Sequence, residues 1–286
     1  MRSGLAAGSI HRARTPVRRW PVLLLALFVG LALFGPLIAP DPLAQSLRAR
    51  LQPPAWLEDG TLKHLLGTDQ LGRDLLARLL SGLRVSLALG LAAATGSALL
   101  GVGLGLLAGY HRGTIEGFIM RLADIQLAFP LLVLAIAILA LVGGSLTPLV
   151  LVLTLFGWAI YARVVRAAVL VQQQMDYLNA ARIAGAGHLR IIVRHLLPNV
   201  TAPVLVLWTF SVAQMIVLEG ALSFLGLGVR PPAPSLGGIM SDGRQLLELA
   251  WWLTVFPGVT LVALVVAFNA LGDDLRDWLD PRAMRT

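Results

Sequence analysis

Lys63 is the single lysine among 23 basic residues, and His64 follows it. A phosphate-binding loop needs a glycine-rich turn ending in Lys-Ser or Lys-Thr, so that the ammonium reaches the β and γ phosphates. This chain has no such lysine and cannot use ATP by that route, so any coupling to ATP requires another polypeptide. It has no cysteine, which excludes disulfides, thiolate catalysis and Cys-based metal sites. The histidines, at 11, 64, 111, 188 and 195, include no pair at i, i+4 on one helix, and no Ser–His–Asp grouping is evident. No covalent chemistry is indicated, no metal or cofactor is expected on this chain, and an enzymatic role is not.

The most informative polar segment runs from Asp176 to Asn199. Asp176 is placed to cap a short helix over 176–184. Gly185 and Gly187 can end it, because glycine adopts positive φ cheaply. A second short helix is expected over 188–197, with Leu189, Ile192, Val193 and Leu196 on one face and Pro198 as its stop. The first arm carries the small residues Ala180, Ala181 and Ala184, which let another surface approach closely. Docking on another protein and packing on the chain's own bundle both fit this pattern.

Three charges interrupt long apolar runs: Arg121, Asp124 and Glu219. Intramembrane charges are functional suspects. Arg121 and Asp124, at i, i+3, are expected to pair on one helix face, and Glu219 to reach water at the outer interface. So few charges argue against an ion-coupled carrier. Gly101, Gly105 and Gly109 recur every four residues, a stripe that permits close helix packing, within this chain or against another.

These residues must be held by membrane-spanning helices. Of 286 residues 57% are hydrophobic and only 13% charged, where a soluble domain carries about 25% charged residues. A hydrocarbon core needs roughly 20 apolar residues per helix, and six runs qualify: 22–38, 85–109, 118–142, 146–165, 202–222 and 251–271. None shows the alternation of a barrel strand, so the expected fold is an all-α polytopic membrane protein of six helices. Placing the N-terminus inside gives cytoplasmic segments 1–21, 110–121, 162–201 and 272–286, with five, two, five and three basic residues. Six of the other eight lie in one long outer loop beside five acids. This is the positive-inside pattern, with both termini cytoplasmic. It also accounts for the net charge of +8: the basic residues are dispersed between apolar runs, and no nucleic-acid partner is expected. Run 22–38 follows Arg2, Arg12, Arg14, Arg18 and Arg19 like a signal peptide, but Ala39-Pro40-Asp41-Pro42 makes a poor cleavage site, so an uncleaved anchor is expected.

The chain divides accordingly into a cytoplasmic tail (1–21), the first span with its outer loop (22–84), a five-helix core (85–271) containing the cytoplasmic loop 172–200, and a C-terminal tail (272–286). Within the outer loop, leucines 75, 76, 79, 80 and 83 oppose Arg73, Asp74, Arg78, Ser81 and Arg84, which predicts an amphipathic helix over 72–84 at the outer interface. The second outer loop, 223–250, is rich in Gly and Pro and is expected to be ordered but irregular, either a lid or a connector.

Several separated motifs carry a family resemblance. Asn179-Ala-Ala-Arg-Ile-Ala-Gly185, with Leu197-Pro198-Asn199, resembles the "EAA" loop of binding-protein-dependent ABC importer permeases. His64-Leu-Leu-Gly-Thr-Asp-Gln-Leu-Gly-Arg-Asp74, Ser223-Phe-Leu-Gly-Leu-Gly228, Trp251-Trp252 with Phe256-Pro-Gly258, and Ala267-Phe-Asn-Ala-Leu-Gly-Asp-Asp-Leu-Arg-Asp277 with Leu279-Asp-Pro-Arg282 resemble the dipeptide/oligopeptide/nickel branch. The resemblance implies a type I importer permease fold in the bacterial cytoplasmic membrane. The implied partners are a second homologous permease, two cytoplasmic ATPase subunits that use ATP and Mg, and an extracytoplasmic solute-binding protein. The implied solutes are di- or oligopeptides, with nickel, glutathione or another small solute as alternatives. It makes Asp176, Tyr177, Asn179, Ala180, Ala181, Gly185, Ala186 and Gly187 the element that couples to an ATPase. The chain departs from the family at Asn179, where the usual residue is glutamate; a carboxylate–arginine contact there is lost or becomes a neutral hydrogen bond.

Overall fold

A computed structural model describes residues 18–279. The tail with Arg2, Arg12 and Arg14, and the last residues of the 279–282 motif, lie outside them. Long helices dominate: α1 (Arg19–Ile38), α2 (Leu75–His111), α3 (Gly113–Ala128), α4 (Leu131–Val142), α5 (Leu146–Gln172), α6 (Asp176–Ile183), α7 (His188–Ile191), α8 (Leu197–Phe224), α9 (Leu236–Gly243) and α10 (Trp252–Leu279). Five are long and apolar enough to cross a membrane, counting α7–α8 as one, and the α3–α4 pair makes a sixth span if its two halves are taken together.

That third span is not the single rod expected over 118–142. α3 and α4 meet at an 88° bend. Pro130 has no N–H to donate, and its ring disfavours a helical residue before it; Phe129 is accordingly extended, at φ −92° and ψ 138°.

α2 is the central post. At 37 residues it is roughly 55 Å long, more than the ~30 Å hydrocarbon thickness. It packs most extensively along α5, and then against α8 and α1. The Gly101–Gly105–Gly109 stripe makes the α2–α5 approach possible: a Cβ on Gly105 would fall 2.8 Å from Val165 Cβ, and one on Gly109 2.7 Å from Val169 Cβ. The stripe therefore serves packing inside this chain.

The amphipathic segment is not a separate interfacial helix. It is the outer end of α2, and Asp74 and Arg78 of its polar arc face inward while Arg84 is exposed. Asp74 caps α2 by accepting from Ala77 N at 2.9 Å. Arg78 is buried and donates to Asp69 at 2.5 Å and to Asp242 in α9 at 2.9 Å. Asp69, fully buried, also accepts from Arg73 Nε at 2.6 Å. His64 bonds Asp74 at 2.8 Å, and Trp252 donates to Thr68 O at 3.1 Å. A polar arc therefore does not identify a solvent face when the preceding loop folds back over it. The second outer loop is likewise more regular than expected: Ser235 caps α9 by accepting from Gly238 N.

Candidate functional site

The loop between α5 and α8 is built on the ends of α2 and α5. Gln173 Nε2 donates to Gly109 O at 2.8 Å and to Tyr110 O at 3.1 Å, which ties the end of α5 to the end of α2. The chain turns and enters α6. Its N-cap is Met175, without a side-chain cap bond, so Asp176 is not the cap; it stands in the first turn, where a carboxylate suits the helix dipole. Leu178, fully buried, anchors α6 in a cluster with Leu106, Val165, Val169, Ile191, Leu196 and Val200. Three long helices thus meet under one leucine.

The proposed coupling residues divide around that anchor. Ala181 and Ala186 are half-buried; Asp176, Tyr177, Asn179, Ala180, Gly185 and Gly187 are exposed. Tyr177 donates to Gln172 Oε1 at 2.7 Å and accepts from Asn199 Nδ2 at 3.3 Å. Arg182 donates to Asn179 Oδ1 at 3.2 Å, so the amide that departs from the family at 179 accepts a local hydrogen bond from a charged guanidinium. Gly185 has φ +79°, and Ala186 N closes the turn on Ala181 O at 3.0 Å. Gly187 is extended, at φ −66°, so only the first of the two glycines needs a left-handed backbone.

The second arm differs from its expected form. A π turn at Ile192–Leu196 carries α7 directly into α8, with Pro198 in the first turn of α8. Pro198 does not stop the helix. In the wider turn Leu197 N reaches Ile192 O, and Asn199 Nδ2 donates to His195 O at 2.6 Å. The inserted residue also moves the apolar face. Ile191 and Leu196, five apart, are buried, whereas Leu189 and Val193 are exposed. Ile183 (89% exposed) and Leu189 (74%) stand with the exposed Arg182, Arg190 and Arg194 on the surface of this loop. Sequence periodicity at 3.6 residues put Leu189 on the apolar face because it does not encode the π turn, and Ile183 belongs to the separate helix α6.

The charges in the spans are also partnered differently. Asp124 pairs with Arg163 of α5, not with Arg121; Glu116 pairs with Arg166, whose Nε donates at 2.5 Å. Both pairs join α3 to α5. Glu219 is not solvated at the interface but fully buried. Its carboxyl accepts from Ser86 at 2.8 Å and from Ser223 at 2.7 Å. Among the described residues no three His, Asp or Glu side chains are grouped to hold a metal ion. The loop presents an exposed surface and is packed through Leu178 against three long helices.

Residues 101–285 match the family model described as "Binding-protein-dependent transport system inner membrane component". The di/tripeptide transport system permease protein DppC of Pseudomonas aeruginosa is 46% identical over 262 residues, 91% of this chain and 86% of that protein. The dipeptide transport system permease proteins DppC of Haemophilus influenzae and Escherichia coli K12 are 40% and 44% identical, each over 91% of this chain and over 89% and 86% of their own lengths. Among solved structures, an inward-facing form of the MetNI methionine ABC transporter aligns with TM-score 0.56 at 21% identity, covering 68% of this chain and 93% of that one. An amino acid ABC transporter aligns with TM-score 0.55 at 20% identity, covering 71% and 94%. These two likenesses bear on the fold.

Proposed function

Since the chain belongs to the family of binding-protein-dependent transport system inner membrane components, we propose that it is one permease subunit of an ATP-driven importer whose solutes are di- and tripeptides. The peptide assignment is carried by one observation: proteins named as dipeptide or di/tripeptide permeases in three bacteria share 40–46% identity along 91% of this chain.

In this reading a second homologous permease completes the pathway in the cytoplasmic membrane, and an extracytoplasmic binding protein delivers the peptide. Two ATPase subunits bind the ATP and magnesium, and this chain binds no cofactor. Both termini face the cytoplasm, as the positive-inside pattern supports. The exposed face of α6, with Asn179, Ala180 and Gly185, seats on an ATPase, and Ile183 and Leu189 supply apolar contact. Closure of the ATPases shifts α6 as a rigid body. Leu178 and the Gln173 tie pass that shift to α2, α5 and α8, which rock the bundle between outward and inward openings.

The docking half is tested by cross-linking. The chain has no cysteine, so Ala180→Cys introduces a single thiol. In the assembled transporter it cross-links to an ATPase subunit through a short thiol-to-amine reagent, and Val259→Cys on α10 does not. Equal yields from both positions, or none from α6, would remove α6 from the coupling role.

A further inference from the structure

The break between α3 and α4 opens a pocket of about 200 Å³ against α5 and α8. This is smaller than the ~300–1,000 Å³ of a complete ligand site, as befits one wall of a site shared with a second subunit. Phe129, Phe156, Met215 and Leu218 give it apolar surface, and Gln126 and Gln214 are its polar members. Gln126 Nε2 is engaged, donating to Phe156 O at 2.8 Å. Gln214 is exposed and has no hydrogen-bond partner among the described residues.

Gln214 lies ten residues before Phe224, the outer end of α8, or about 15 Å along the axis, half the ~30 Å hydrocarbon thickness. At that depth an amide turned toward lipid would forgo all its hydrogen bonds, at a cost of roughly 4–8 kcal/mol. One charged pair on two of the helices that line the pocket agrees with a wet face: Asp124 of α3 and Arg163 of α5 are about half exposed. The face carrying Gln214 therefore meets something polar.

Resting on the peptide reading above, we propose that Gln214 contacts the solute in the translocation path. A carboxamide offers both donor and acceptor, the complement of a peptide bond's C=O and N–H, so it can pair any peptide backbone whatever the side chains. The exposed Phe129, backed by the buried Phe156 and the adaptable thioether of the buried Met215, forms a wall that accepts apolar side chains without selecting among them. One polar contact to the common backbone and a non-selective wall together suit a carrier of many small peptides.

Two measurements on the assembled transporter test this. In the otherwise cysteine-free chain, Gln214→Cys reacts with a water-soluble methanethiosulfonate, and dialanine with the binding protein slows the reaction. Lack of reaction, or reaction only with a lipid-soluble reagent, would place Gln214 against the second subunit or lipid and overturn the proposal. Gln214→Leu raises the KM for dialanine about three- to tenfold, the worth of one hydrogen bond, and Gln214→Asn recovers part of it. The wild type prefers dialanine to its analogue methylated on the peptide nitrogen, and Gln214→Leu loses that preference. An unchanged KM and preference would overturn the backbone-amide assignment alone. Failure of the wild type to import any dipeptide would overturn the peptide reading itself, and this assignment with it.

Discussion

Ser86 in α2 donates a hydrogen bond of 2.8 Å to the carboxyl of Glu219 in α8, 133 positions further along the chain. The same hydroxyl accepts from Leu236 N at 3.2 Å. On the other side of the carboxyl, Ser223 donates at 2.7 Å and accepts from Val229 N at 3.4 Å. One buried carboxyl therefore fixes two serines, and each serine holds one end of the outer loop between α8 and α9. Glu219→Ala leaves both hydroxyls without their acceptor and opens a void, and the expected loss is on the order of 3 kcal/mol. Glu219→Gln keeps an acceptor for one serine and costs less. Thermal unfolding of the purified transporter, with limited proteolysis of residues 225–235, separates the two; equal stability of Glu219→Ala and wild type would deny the carboxyl this role.

Arg78 and Arg84 look alike in the sequence, yet Arg78 is buried on Asp69 and Asp242 and Arg84 is exposed. Removing one partner from a buried ion pair costs about 3–5 kcal/mol, because the other charge stays buried. Asp69 keeps Arg73, so Arg78→Leu is expected near the lower end. Arg84→Ala is expected within about 0.5 kcal/mol of wild type. Comparable melting temperatures for the two variants would contradict the ion cluster.

The α2–α5 seam predicts a contrast between two glycines two residues apart. Gly105→Leu forces atoms into Val165 and the carbonyl of Ala162, whereas a Cβ at Gly103 meets nothing within 4 Å. Gly105→Leu is expected to destabilise by roughly 1–3 kcal/mol through overpacking, read as lower membrane yield and melting temperature. Gly103→Ala is expected to behave as wild type.

At the turn that follows α6, Gly185→Val must hold a β-branched residue at φ +79°, at about 1–3 kcal/mol of local strain. The protein stays in the membrane, but ATP hydrolysis by the complex no longer drives uptake. Gly187→Ala, at an ordinary φ, is expected to transport normally. Measuring ATPase activity and uptake on the same proteoliposomes distinguishes the two, and normal uptake by Gly185→Val would count against α6 as the coupling element.

The spans were legible because apolar runs of the right length have few other uses. What a run cannot reveal is where it breaks. Pro36, Pro203 and Pro257 sit inside α1, α8 and α10, whereas Pro130 ends α3, so proline by itself did not distinguish a tolerated kink from an 88° bend. The α6 turn was legible through Gly185, whose backbone requirement is local. Leu196 was expected on the apolar face and is buried there, but the anchor Leu178 and the replacement of Leu189 and Val193 by Ile191 were not legible, the latter because it depends on a π turn that no 3.6-residue pattern encodes. Arg78 and Glu219 were misread for a shared reason: a polar residue's partner can lie anywhere in the chain, here at Asp242 and at Ser86.

The central claim is tested most directly by uptake in cells lacking this chain, with and without its return, using a labelled dipeptide, a labelled longer peptide and nickel. The account predicts that dipeptide uptake is lost on deletion, restored by the chain, and abolished again when the partner ATPases are inactivated. Dipeptide uptake unaffected by deletion while nickel uptake is lost, or uptake by this chain without ATP, would contradict it.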